Sequence, residues 1–174
     1  APTEYETFRG QLTDSISWEY SNGTMLIAGS GAMPDYETYN KQPWYKSETG
    51  VKLLPKIEKL IVEKGITRIG AYTFFGAENL KNVIIEGTGL RSVGKHAFQN
   101  TGITEIELKE GTKSVENYAF AGCGNLKRAY IPESLNQFGV SVFEDCSKVS
   151  IYGTAGSGAE KFAKKNDLPF VDMN

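Results

Sequence analysis

Few residues in this chain have both the type and the spacing that chemistry requires. Gly153-Thr-Ala-Gly-Ser-Gly158 has the glycine density of a phosphate loop. A Walker loop follows its last glycine with Lys and then Ser or Thr, which reach the phosphates and hold magnesium. Here Ala159 and Glu160 follow, and a carboxylate repels phosphate. The glycine spacing also fails the Gly-x-Gly-x-x-Gly pattern of dinucleotide sites. His96 is the only histidine, with no Cys or His partner near it in sequence to build a metal site. Any Ser-His-Asp arrangement would have to use it, and no Gly-x-Ser-x-Gly elbow is present. The expectation is therefore no enzyme, with no catalytic residue, metal or cofactor. Asn22-Gly-Thr24 matches a glycosylation acceptor, but its place in a tight turn argues against that use.

Aromatic residues are the next candidates. Met33, Tyr36, Tyr39, Pro43, Trp44 and Tyr45 make the most aromatic stretch of the chain. One reading is a sugar or peptide platform, with Asp35 and Glu37 as hydrogen-bonding groups. The other is that Met33, Tyr36, Trp44 and Tyr45 seal a terminal cap against the elements behind it, since rings bury large areas. Sealing is the expected role, and Tyr36, Tyr39, Trp44 and Tyr45 remain a second candidate patch.

The elements that position everything else come from a repeat. Ile57, Leu80, Ile103, Leu126 and Val149 are 23 residues apart each time. The first four each open a β-like run: Ile57–Val62, Leu80–Ile85, Ile103–Leu108 and Leu126–Ile131. A small or branched residue followed by Phe recurs as Thr73-Phe74, Ala97-Phe98, Ala119-Phe120 and Val142-Phe143. The second repeat gains one residue before Val93 and loses one after Phe98, so the strands return to phase. A fixed period of this length marks a solenoid, whose single repeats cannot close a core and must stack. Parallel strands about 4.8 Å apart then place like residues on like residues, including a column of Phe.

Asn22-Gly23 between Ser15–Tyr20 and Thr24–Gly29 predicts a type I′ hairpin, which covers the first rung's open edge. Ser157 can cap a short helix through about Lys165, with Ala159, Phe162 and Ala163 on one face. The expected organisation is one domain over 1–174. Residues 11–56 form an N-terminal cap and connection. Four 23-residue repeats and the start of a fifth fill 57–149, and 150–174 form a C-terminal cap.

Cys123 and Cys146 lie one rung apart. Side chains leaving adjacent rungs in the same direction keep their Cβ atoms near 4.8 Å, longer than the roughly 3.8 Å a disulfide prefers. Two free, core-filling thiols are expected. His96 aligns with Tyr72, Tyr118 and Ser141, two residues before each Phe, and is expected on a partly exposed flank.

The pattern Val115-Glu-Asn-Tyr-Ala-Phe-Ala-Gly-Cys-Gly-Asn-Leu126, followed by Lys-Arg-Ala-Tyr-Ile131-Pro132, resembles the BspA-type (Treponema pallidum-type) leucine-rich repeats of bacterial surface proteins. The resemblance covers the array and extends to both flanks: Gly-x-Gly-x-Met-Pro-Asp-Tyr36 with Pro43-Trp44, and Tyr152-Gly-x-x-Gly-Ser157-x-Ala-Glu160. Glu116 departs from the Gly at positions 70, 94 and 139, and Ala77 replaces a Cys. The resemblance implies a leucine-rich-repeat solenoid, β-rich, with short parallel strands in a right-handed superhelix. It also implies export or surface display and a protein or glycan partner in adhesion or host interaction. The chain begins Ala1-Pro-Thr-Glu, a start compatible with a processed secreted protein.

A net charge of −2 leaves no polybasic character for nucleic acid or anionic membrane, and no apolar run approaches a membrane span. A monomer is expected. Residues between core positions of each strand face outward in stripes. Lys59, Asn82, Glu105 and Arg128 form one, Ile61, Ile84, Glu107 and Tyr130 the second, and Glu63, Glu86, Lys109 and Pro132 the third. In leucine-rich repeats this face usually meets the partner. The predicted contacts are Tyr130, Arg128, Glu107 and Ile84, with Ile61 exposed to cover by the cap. The competing function is a structural spacer in a larger cell-wall protein, with no ligand of its own.

Overall fold

The computed structural model describes residues 6–174; residues 1–5, and with them the Ala-Pro-Thr-Glu start, lie outside the described residues. The chain opens with three antiparallel strands, β1 (Thr7–Thr13), β2 (Ile16–Ser21) and β3 (Thr24–Gly29), then the short β4 (Gly31–Ala32). Asn22 at φ 46° and Gly23 at φ 84° make the turn between β2 and β3. Positive φ at both central residues is what a type I′ turn requires. Trp18, Tyr20, Met25 and Ile27 alternate into the core. The strand β1 carries little apolar alternation and lies at the edge.

The array follows in paired strands. Outer-face strands are β5 (Lys59–Val62), β7 (Asn82–Ile85), β9 (Glu105–Glu107), β11 (Arg128–Tyr130) and β13 (Ser150–Gly153). Between them run β6 (Ile66–Ile69), β8 (Ser92–Val93), β10 (Ser114–Val115) and β12 (Gln137–Phe138). Helix α1 (Gly158–Lys165) and β14 (Phe170–Asp172) close the chain. One sheet runs β4-β6-β8-β10-β12 without interruption and in parallel. The other strand line is divided: β1-β2-β3-β5-β7 form one sheet and β9-β11-β13-β14 a second. The division falls at the repeat that gains and loses a residue. Residue count returns to phase there, but the hydrogen-bonded ladder does not continue across it. Val83 beside the break is half-buried, whereas Leu60, Ile106, Ala129 and Ile151 at the matching positions are buried.

The expected Phe column is present and longer than the repeat alone indicates. Phe74, Phe98 and Phe120 stack at 5.7 and 5.5 Å, and Phe143 follows at 5.5 Å. Trp44 tops the column, 5.2 Å from Phe74 and nearly parallel to it, with Nε1 donating to the Thr73 carbonyl at 2.6 Å. At the other end Phe162 of α1 meets Phe143 edge-on at 6.0 Å and stacks on Phe138 at 4.2 Å. Each cap thus contributes a ring to the array's core.

A polar clamp ties the first cap to three rungs. Arg68 donates to Asp35 at 2.9 Å, to Ser92 at 3.1 Å, and to both carboxylate oxygens of Glu116. The same Asp35 oxygen accepts from the Ala71 amide at 2.8 Å. Glu116 therefore has a reason to stand where the other repeats carry glycine. Its carboxylate answers an arginine two rungs away and raises the guanidinium pKa further above its ordinary value.

Three local expectations need correction. Ser157 precedes α1, but its hydroxyl makes no capping bond and is buried without a partner among the described residues. Glu160 reaches back instead and accepts from the Gly156 amide at 2.6 Å, which lowers its carboxyl pKa. Pro132 is buried and leaves the third outward stripe. Trp44 is fully buried against Phe74, the sealing role expected of it, and so leaves the second candidate patch.

Candidate binding face

The outward residues of the strand line fall in register across rungs. Lys59 pairs with Asn82 and Ile61 with Ile84 in the first sheet; Glu105 with Arg128 and Glu107 with Tyr130 in the second. The four predicted contact residues thus lie on one face but on two sheets. Ile84 ends the first sheet, and Glu107 begins the second. Between them a shallow groove of about 280 Å³ opens, with Asn82, Ile84, Glu105, Glu107 and Tyr130 among its walls. Ile84 is 43% exposed, a large apolar side chain with no cover. Ile61 is half-buried beside Leu26 of the hairpin.

Arg128 is not free. Its Nη1 donates to Glu105 at 2.6 Å, and that carboxylate pushes the guanidinium further above its ordinary pKa. Both side chains are about half exposed, so the pair contributes little to stability and can re-form with a partner. Tyr130 packs at 5.0 Å against Tyr152 of the next strand. Tyr152 belongs to this surface and was missed, because the repeat-by-repeat stripes stop at the fourth copy. The signal was available: Val149-Ser-Ile-Tyr152 repeats the strand pattern one residue short, and Tyr130 pairs with Tyr152 in the ladder.

The second candidate patch divides. Tyr36 is half-buried, and burial pushes its phenol up to about 12. Tyr39, 50% exposed, contacts Tyr45 at 6.2 Å and Phe75 at 5.9 Å. From Phe75 a ring ladder continues along the outer flank. Tyr72, His96 and Tyr118 stack at 4.5 and 5.1 Å, nearly parallel. His96 is half-buried there, with Nδ1 hydrogen-bonded to Gln99.

Both thiols are buried and free. Cys123 donates to the Phe98 carbonyl at 3.1 Å and Cys146 to that of Phe120 at 3.0 Å. The neighbouring Cys123 thiol and burial push the Cys146 thiol above its ordinary range. Among the described residues no group of His, Cys, Asp and Glu is placed to hold a metal ion, and no helix is long and apolar enough to cross a membrane.

The sequence profile of the BspA type leucine rich repeat region matches residues 52–162 in six copies. No curated protein matches the chain. Among solved structures, a leucine-rich repeat protein from Eubacterium ventriosum is similar at 23% identity and a TM-score of 0.68, over 86% of this chain and 45% of its own. The Treponema pallidum leucine-rich repeat protein aligns at 18% identity and a TM-score of 0.56, over 87% of this chain and 70% of its own. The pneumococcal vaccine antigen PcpA aligns at 15% identity and a TM-score of 0.51, over 86% of this chain and 50% of its own. These likenesses show the fold. The chain spans less than half the length of the Eubacterium protein.

Proposed function

The chain belongs to the BspA-type leucine-rich repeat family, and from that premise we propose that it is a secreted or surface-displayed bacterial binding module. Its partner is a protein or glycan, engaged by the strand face in adhesion or host interaction. The observation that carries this reading is Ile84, large, apolar and 43% exposed at the seam between two sheets. Tyr130 and Glu107 line the groove with it, and Arg128 stands on the same strand as Tyr130, paired with Glu105 of the groove wall. Contiguous exposed apolar surface rimmed by polar residues marks interaction sites, Ile84 and Tyr130 share one groove, and Tyr and Arg are enriched at binding hot spots. The regular spacing of rungs suits an extended partner, which meets equivalent positions on successive strands. The family fold is in general a non-enzymatic repeat scaffold.

Solid-phase binding tests the reading. The wild-type protein is screened against host matrix proteins and mucin-type glycans. Binding to one class, weakened at least about tenfold (roughly 1.4 kcal/mol) by the double substitution Arg128→Ala and Tyr130→Ala, supports it. Binding to neither class favours the spacer role within a longer wall protein. Equal binding by the double variant moves the site off the strand face.

A further inference from the structure

The outward positions of the strand line form one apolar row across both sheets. Leu26 pairs with Ile61 and Ile61 with Ile84 in the first sheet. Tyr130 pairs with Tyr152 and Tyr152 with Val171 in the second. Glu107 stands between the two trios: it pairs with Tyr130 and shares the seam groove with Ile84. Ile84 is 43% exposed and Val171 39%, and the other four are half-buried. None of the six belongs to the solenoid's apolar core or packs against it among the described residues. Large apolar side chains in contiguous positions on the solvent side of a sheet mark a surface that another molecule covers. Beyond Leu26 the row stops at Glu19, which Arg9 holds at 3.3 Å.

The spacing of the row selects its occupant. Rungs repeat about every 4.8 Å, so the row from Leu26 to Val171 is about 29 Å long. A helix lying along it brings an apolar side chain to the sheet once per turn, about every 5.4 Å, and drifts about 4 Å over the whole row, less than one rung. An extended strand presents its same-face residues about 6.7 Å apart and drifts about 11 Å, more than two rungs. A glycan is recognised by flat ring faces and polar partners. The aliphatic members of the row offer neither, and Tyr130 and Tyr152 are packed on each other with their rings tilted by 42°.

The charges set the register. Glu107 makes no ion pair among the described residues. A partner that covers it must bring a cation, because a buried unpaired carboxylate is costly. Beside Ile61 and Ile84 the rims differ in sign, with Lys59 and Lys81 at the strand starts and Glu63 and Glu86 at the ends. We propose that the row receives an amphipathic helix of a partner protein, about 20 residues long, whose apolar face is interrupted midway by one Lys or Arg. Leu26, Ile61 and Ile84 hold one half of it, Tyr130, Tyr152 and Val171 the other, and Glu107 meets the cation. Acidic residues on one flank of the helix face Lys59 and Lys81, and basic residues on the other face Glu63 and Glu86. Helix docking here presupposes the strand-face reading above and narrows its partner to a protein.

The probes are labelled peptides of about 20 residues, read by fluorescence anisotropy and circular dichroism. A small panel carries Leu, Ile or Phe at helical period with one Arg midway. A control carries the same residues in alternating, strand-like order. The helical peptides are expected to bind and gain helicity, and the control to bind at least tenfold more weakly. Ile84→Glu should weaken the helical peptides at least tenfold. Glu107→Lys should weaken them several-fold and improve binding of a peptide whose midway Arg is replaced by Glu, a reversal that loss of folding cannot produce. No binding by any helical peptide, or equal binding by the control, overturns the proposal. If a mucin-type glycan then binds the wild type and loses affinity with Ile84→Glu, the helix is wrong while the strand-face reading stands. Helical peptides that bind Ile84→Glu and Glu107→Lys as well as the wild type overturn both.

Discussion

Two stacks of rings climb the same rungs of this molecule and serve different ends. In the inner column Trp44, Phe74, Phe98, Phe120 and Phe143 sit 5.2–5.7 Å apart, all buried. On the outer flank Tyr72, His96 and Tyr118 repeat at similar spacing but are half-buried. Their backbones adopt φ of 60°, 57° and 58°, a region that costs a non-glycine residue about 1–2 kcal/mol. The geometry is retained because each amide there donates to the next rung: Tyr72 to Lys95, His96 to Asn117, Tyr118 to Val140. In both stacks the ring faces are spent on one another. The flank ladder therefore offers edges to solvent and makes a poor stacking platform. Ile84 on the strand face has no such neighbour on the open side.

Substitutions can break or sharpen this contrast. Phe120→Ala removes a middle ring of the inner column and should lower the free energy of unfolding by about 3–5 kcal/mol in chemical denaturation. A loss below about 1 kcal/mol would mean the column is not what holds the rungs together. Arg68→Ala, which releases Asp35, Ser92 and Glu116 together, should cost about 1–2 kcal/mol after allowing for the solvent at Asp35. His96→Ala interrupts the outer ladder and should cost about 1 kcal/mol or less, since stacking at a half-exposed site adds little beyond area. A loss matching that of Phe120→Ala would erase the distinction between the stacks. Arg128→Ala with Tyr130→Ala removes an exposed ion pair and a half-buried ring packed on Tyr152, and should cost about 1 kcal/mol or less, so the thermal midpoint should move only a little.

The inner column was legible because Phe recurs at one position of every repeat. Its ends were not. Trp44 lies outside the periodic segment, and only the fold shows it continuing the stack. Asn22-Gly23 announced its turn through backbone chemistry alone. The edge strand β1, with Arg9, Gly10 and Gln11 at its centre, has no apolar alternation to read. The seam between β7 and β9 escaped for another reason: a compensated insertion preserves residue number, while hydrogen-bond registry depends on the path the added residue takes. Arg68 and Glu116 are 48 residues apart, beyond any local pattern. For the candidate face, the periodicity named the outward residues. It did not show that Arg128 is paired with Glu105, that Tyr152 shelters Tyr130, or that Ile84 stands bare.

Hydroxyl-radical footprinting of the protein, free and with the partner found in the binding screen, tests the central claim most directly. Tyr130 and Ile84 on the strand face, and Tyr39, Tyr72, His96 and Tyr118 on the flank, are all reactive and report separately. The account predicts strong protection of Tyr130 and Ile84 on binding, with the flank residues labelled as in the free protein. Protection confined to the flank ladder, with Tyr130 and Ile84 unchanged, would contradict it.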